Sequence, residues 1–380
     1  MALKKTYSWK MLVFGLTMLL FCPLSRECSA AFTEKITVRY SHGFSVEYRD
    51  NVTLIKVTNP WPGASTSFQY LLKPRGMVTP GGYEGYQIIE TPVESMVALS
   101  STQLAFIDQL GLVDRLVGFS DPARAHTSSV RAAARQGRLR AVGQNSTLQI
   151  ETVLDLSPEV IFTYGTGSFR DAYPKLLEAG LKVGMIGEYM ESTPLGRAEW
   201  IKFVALFFNR EQEAEKIFSQ IETRYLQLAA LTRELTERPT VITNTPYGGH
   251  WSIAGGNSFT SHFIQDAGAT YVWRETGDTG SIPMDIELVY DRGLSADFWI
   301  NTGIWTSLSQ ATHSDPRFSA FKSLQTAKLF NNNKRVNAAG GNDFWESGMV
   351  QPDVILADLI HIFHPELLPD HDLFYYRQLK

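Results

Sequence analysis

Cysteine is almost absent: the chain has two, Cys22 and Cys28, and both precede Ala30. Without a thiol beyond that point, disulfides, thiolate zinc sites, iron–sulfur clusters and cysteine nucleophiles are excluded together. Neither sign of charge dominates. Lys and Arg total 35 against 39 Asp and Glu, a formal charge of -4 with a pI near 6.1. Nucleic-acid binding would need a basic face that releases counterions. After Phe21 no apolar run approaches the roughly 20 residues of a membrane-spanning helix. The G-x-S-x-G elbow, the Walker loop and H-E-x-x-H are also missing. Gly165-Thr166-Gly167 begins like a dinucleotide loop, but Arg170 stands where its third glycine belongs. No catalytic constellation is left.

What the chain does contain opens with an address. Lys4, Lys5 and Lys10 precede the apolar run Met11–Phe21, and Cys28-Ser29-Ala30 supplies small residues for cleavage. Residues 1–30 therefore read as a signal peptide cleaved near Ala30, which places the mature protein in the periplasm. Phe21 before Cys22, and Arg26-Glu27 before Cys28, are too bulky or charged for the usual lipid-attachment site. With 380 residues, 44% hydrophobic and 12% aromatic, the chain has material for two or three cores.

Residues 31–91 alternate apolar and polar positions, as in Ile36-x-Val38-x-Tyr40, Phe44-x-Val46-x-Tyr48 and Leu54 to Val57. That period predicts an antiparallel β extension, with Tyr40, Tyr48, Tyr83 and Tyr86 covering one face of its sheet. From Pro92 onward short apolar runs alternate with helical stretches, the pattern of a parallel sheet covered on both sides. Residues 92–192 form one α/β lobe on this reading and 239–380 another. Residues 193–238 lack strand signals and carry Ile217, Ile221, Leu228 and Leu231 at helical spacing, predicting a long, rigid linking helix.

An internal repeat supports the two lobes. Ile150-Glu151-Thr152-Val153-Leu154-Asp155 returns as Ile286-Glu287-Leu288-Val289-Tyr290-Asp291, and each copy precedes an apolar strand and a Thr-Gly pair, Thr166-Gly167 and Thr302-Gly303. Two open α/β lobes bind ligands outside the carboxyl ends of their strands. The loops at those ends are Ser100–Gln103, Tyr164–Ser168, Pro246–Trp251, Thr302–Trp305 and Gly340–Glu346. Tyr164, Tyr247, Trp251, Trp305 and Trp345 offer broad rings for stacking there. Gln103, Asn342 and Asp343 offer directional hydrogen bonds, and Arg124 or Arg170 could face an acidic ligand.

This arrangement resembles the class III periplasmic binding proteins of ABC importers, which capture iron–siderophore complexes, haem and cobalamin. The resemblance covers about Pro92 to Leu368. It implies that Glu151 and Glu287, one on each lobe, engage a permease whose energy comes from separate ATPase subunits. It implies no resident cofactor and a protein acting as a monomer. Likeness to the cobalamin-binding branch would put Tyr164, Trp251 and Trp345 at the ligand. That branch, however, carries an aromatic where Gln144-Asn145 stand here, which favours an iron(III) chelate over a corrinoid.

The rival reading is capture of a free divalent metal ion. His361, His364, Glu366, Asp370, His371 and Asp372 crowd the C-terminal region, and imidazole with carboxylate suits zinc or manganese. His361 and His364 also end a predicted helix, Pro352–Phe363, where they complement its dipole. No metal site is expected there.

Overall fold

A computed structural model of the chain describes residues 35–380. The predicted signal peptide lies outside the described residues. Among them, no helix is long and apolar enough to cross a membrane.

The extension is a four-stranded sheet of β1 (Phe44–Arg49), β2 (Val52–Val57), β3 (Phe68–Pro74) and β4 (Gln87–Thr91). β1 to β3 run antiparallel, whereas β4 joins β3 in parallel. The expected strand at Ile36–Tyr40 does not form. Ile36 N–H instead donates to the Tyr48 hydroxyl and Thr37 N–H to Glu215, and the backbone from Arg39 onward meets buried carboxylates: Glu199 accepts from Arg39, Tyr40 and Ser41, and Glu191 from His42 and Gly43. A side-chain acceptor inside the protein has displaced the partner strand that the alternation calls for. One sheet face, including Phe44, Ile55, Val57, Tyr70 and Leu72, joins the main core. On the other, Met77, Tyr83 and Tyr86 cover Val52, Leu54 and Leu71.

The first lobe follows as β5 (Met96–Ala98), α1 (Ser101–Gln109), β6 (Leu116–Phe119), α2 (Ser128–Arg135), β7 (Arg140–Ala141), α3 (Ile150–Leu156), β8 (Val160–Thr163), α4 (Tyr173–Glu178) and β9 (Val183–Met185). The strands are parallel in the order β7-β6-β5-β8-β9. β9 would expose an edge, but the extension closes it with side chains. Gln87 exchanges two hydrogen bonds with the Val183 backbone, and the Tyr70 hydroxyl accepts from Met185 N–H.

α5 (Pro194–Leu206) and α6 (Glu211–Thr232) lead to the second lobe. Pro194 sits in the first turn of α5, and the Thr193 hydroxyl caps it by accepting from Gly196 N–H. α6 has 22 residues, about 33 Å at 1.5 Å per residue. It is not a bare strut, because it packs on α5 and on α11 (Pro352–Phe363) of the second lobe. Apolar Phe218 and Ile221 bury one side of it.

The second lobe contains β10 (Thr240–Thr243), β11 (Pro246–Tyr247), β12 (His250–Ala254), α7 (Phe259–Asp266), β13 (Thr270–Tyr271), β14 (Ser281–Met284), α8 (Ile286–Gly293), β15 (Phe298–Ile300), α9 (Leu308–Ser314), α10 (Lys322–Gln325), β16 (Leu329–Asn331), then α11 and β17 (Arg377–Gln378). Its main sheet has the order β13-β10-β15-β16-β17, parallel except for β17; β11, β12 and β14 make a separate antiparallel sheet. The two parallel sheets share one connectivity. β6, β5, β8 and β9 correspond to β13, β10, β15 and β16, and the repeated hexapeptides begin α3 and α8. Val153 and Val289, equivalent in the repeat, are both fully buried.

Candidate functional site

A cavity of about 660 Å³ opens at the carboxyl ends of the first lobe's strands. Ser100 and Ser101 reach it from the end of β5, Ser120 and Asp121 from β6, and Gln144, Thr147 and Gln149 from the segment after β7. The opposite wall comes from the second lobe, where the loop after β16 contributes Gly340, Gly341, Asn342, Trp345 and Glu346. Both lobes thus build one pocket. Its lining mixes hydroxyls and amides (Ser100, Ser101, Ser120, Thr147, Gln144, Gln149, Asn342) with the charged Arg124, Asp121 and Glu346 and the rings of Phe119 and Trp345.

The local sequence explains how each wall is held. Ser100 caps α1, and Gln103 completes a capping box in which its Oε1 accepts from the Leu99 and Ser100 N–H groups. The loop Tyr164–Ser168 is organised by buried Asp171, which accepts from Thr166 N–H, the Thr166 hydroxyl and Gly167 N–H. Gly165 and Gly167 serve the fold here. A Cβ on Gly165 would lie 2.5 Å from the Trp61 ring, and one on Gly167 2.8 Å from it. Trp61 in turn stacks on Tyr173 at 5.3 Å.

Of the expected ligand residues, Trp345 lines the cavity and is 43% exposed. Tyr164 is not on the lining; its hydroxyl accepts from the side-chain amide of Asn145, the neighbour of the lining residue Gln144. Asn342 and Arg124 line the cavity as expected, but the structure does not bring the others there. Trp251 lies on β12 with no exposed surface; it stacks on Trp299 at 5.2 Å and donates its indole N–H to the Thr243 carbonyl. Trp305 packs on Trp299 and Phe318 in the same cluster. These rings fill the second lobe's own core. Gln103 is consumed by its cap, and Asp343 is buried in an ion pair with Arg335 and a hydrogen bond from Ser347. Tyr247 is 92% exposed in the β11–β12 hairpin and contributes nothing to the cavity wall. Ser120, Asp121, Thr147 and Gln149 line the cavity without having been singled out; Gln144 was noted only for the aromatic it replaces and Glu346 only as the end of a rim loop.

Behind the rim, Glu188 follows β9 and is buried; burial pushes its carboxyl up from the usual range. Arg197 lies nearby, its guanidinium 3.8 Å from the Phe259 ring centroid and its pKa lowered by burial to about 10.

Glu151 and Glu287 occupy the first turns of α3 and α8, and both are exposed. Neither caps its helix. Asp285 caps α8, and Glu287 instead pairs with exposed Arg317 at 2.7 Å.

Of the C-terminal histidines, His361 and His371 stand with ring centroids 5.9 Å apart, but each bonds to a different protein group. His361 bonds to the Leu368 carbonyl, His364 to the Gly268 carbonyl, and His371 to Asp358. Among the described residues no three His, Cys, Asp or Glu side chains are grouped to hold a metal ion.

A family model described as periplasmic binding protein matches residues 96–330. An uncharacterized lipoprotein of Methanocaldococcus jannaschii is 24% identical over 350 residues, covering 84% of this chain and 82% of the relative. A protein of a Saccharomonospora viridis Fe3+-hydroxamate transport system superposes with a TM-score of 0.54 at 19% identity, covering 71% of this chain and 92% of that one. The periplasmic vitamin B12 binding protein of Vibrio cholerae superposes with a TM-score of 0.52 at 14% identity, covering 71% and 96%.

Proposed function

The chain belongs to the periplasmic binding protein family, a family of binding proteins rather than enzymes, and from that premise we propose that it captures an iron(III) chelate for an ABC importer. The observation that carries the reading is the cavity shared by the two lobes at the strand ends, the place where open α/β sheets take ligands. Its hydroxyl and amide walls suit a chelate that presents oxygen atoms and amide groups to the protein. Phe119 and Trp345 are the two rings on the lining, few for enclosing a haem or corrinoid. The chelator supplies the oxygen ligands to iron, so the protein needs no metal-binding side chains. Fold likeness to a protein of an Fe3+-hydroxamate transport system is consistent with this choice.

Delivery follows from the surface. Glu151 and Glu287 hold equivalent places on the two lobes, and neither is used in capping its helix. Two such carboxylates suit a permease that presents a basic group to each lobe. The family works outside the cytoplasm, and a leader at residues 1–30 would bring this chain there.

Tryptophan fluorescence should titrate saturably with a ferric hydroxamate, because Trp345 stands on the cavity wall. Haem, cobalamin, a ferric catecholate and free Zn²⁺ are the comparison ligands. Saturation by Zn²⁺ alone, or by haem or cobalamin in preference to both chelates, would overturn the reading.

A further inference from the structure

The chain passes between the lobes through α5 and α6, which pack on α7 and α11 of the second lobe. A second connection is made without chain continuity, by the strap Arg335–Glu346 of the second lobe lying on the turn Ala123–Thr127 of the first. Glu346 is 1% exposed although it borders the cavity. Its carboxylate accepts the His126 N–H at 2.8 Å, the Thr127 N–H at 2.6 Å and the Thr127 hydroxyl at 2.6 Å. Bonds this short to an ionised acceptor are the strong kind. They lie at the N-terminus of α2, whose dipole favours negative charge and whose cap residue Thr127 makes no side-chain cap of its own.

Other strap groups bind the same turn. The Asn337 amide donates toward the carbonyls of Ala123, Arg124 and Ala125, and Arg124 donates to the Gly340 carbonyl. Gly341 fits because it has no side chain: an added Cβ would lie 1.8 Å from the Arg124 carbonyl oxygen. Trp345, the ring on the cavity wall, immediately precedes Glu346. Whatever fixes Glu346 therefore fixes the backbone from which that indole projects.

We propose that Glu346 is a cross-lobe clamp that closes one side of the cavity, positions Trp345 and sets how long a ligand stays. The proposal rests on reading the cavity as the ligand site. A rotation that separates the lobes must break this contact, so ligand release by a partner is coupled to it.

Amide hydrogen exchange on the ligand-free protein tests the clamp, and dissociation of the desferrioxamine B–iron(III) complex tests its consequence. Glu346→Gln and Gly341→Ala attack the contact by different means, one through charge and the other through space. Each should speed exchange at His126, Thr127 and the first turn of α2 at least tenfold while exchange in β5 and β8 stays as in wild type. Each should also raise the dissociation rate of the chelate roughly tenfold. Thr127→Val should behave like Glu346→Gln, and Thr127→Ser should restore wild-type rates. Unchanged exchange in both strap variants would overturn the clamp, and faster exchange with unchanged chelate dissociation would overturn its role in retention. If wild-type protein does not bind the chelate at all, the reading of the site fails, and the exchange data still decide whether the clamp exists.

Discussion

Trp251 and Trp345 carry the same indole, and their surroundings give them opposite tasks. Trp251 is enclosed by Trp299, Phe318 and Phe321, so Trp251→Ala leaves a cavity and should cost about 3–5 kcal/mol of stability. Thermal or denaturant unfolding measures that loss, and chelate affinity of the folded fraction should not change. Trp345→Ala should do the reverse, weakening chelate binding by about 1–3 kcal/mol if the ring stacks on ligand with little loss of stability. The difference was partly legible in the sequence. His250-Trp251-Ser252-Ile253 alternates, and the structure buries Trp251 and Ile253 while exposing His250 and Ser252; the period-2 signal outweighs proximity to Gly248-Gly249. Gln144, Thr147 and Gln149 gave no such signal, because serine, threonine and glutamine in a wall look the same as in a solvated loop. Glu346 was equally silent. Its meaning depends on Thr127, a residue of the other lobe.

Among the elements, the extension does more than precede the lobes. It seals the β9 edge through Gln87 and Tyr70, seats Trp61 on the Gly165–Gly167 loop, and fastens Arg75 to Glu159 at 2.9 Å. Glu159 is partly desolvated, which alone would raise its pKa, but bonds from Arg75 and the Glu94 N–H hold it below the usual range. A depressed folded-state value means the pair stabilises above the unfolded carboxylate range, and that contribution is lost as pH falls through the folded value. Glu159→Gln should therefore lower the melting temperature at neutral pH, with the gap to wild type narrowing as pH falls through the carboxylate range; a gap that widens as the pH is lowered would contradict it. The repeat was legible from Ile150 and Ile286 onward because the same apolar positions bury Val153 and Val289 against matching sheets. The parallel placement of β4 was not, since direction depends on where the chain returns after Met77–Tyr86 rather than on any local period. Ile36–Tyr40 misled for a similar reason: the carboxylates that receive the Thr37, Arg39 and Tyr40 N–H groups, Glu215 and Glu199, lie far along the chain.

At the scale of the whole molecule, two lobes of matching topology meet around one cavity, joined by α5 and α6 and by the strap. Each presents an equivalent glutamate outside the cavity. Replacing both in Glu151→Ala/Glu287→Ala should abolish uptake of the chelate by cells or vesicles carrying the importer and leave affinity in solution intact; lost affinity would contradict the docking assignment. The most direct test of the account is a crystal grown with the desferrioxamine B–iron(III) complex and measured at the iron absorption edge. One anomalous peak is predicted inside the cavity, between Ser101 and Gln144 on one side and Trp345 on the other. A peak among His361, His364 and His371, or at any other site, would contradict it.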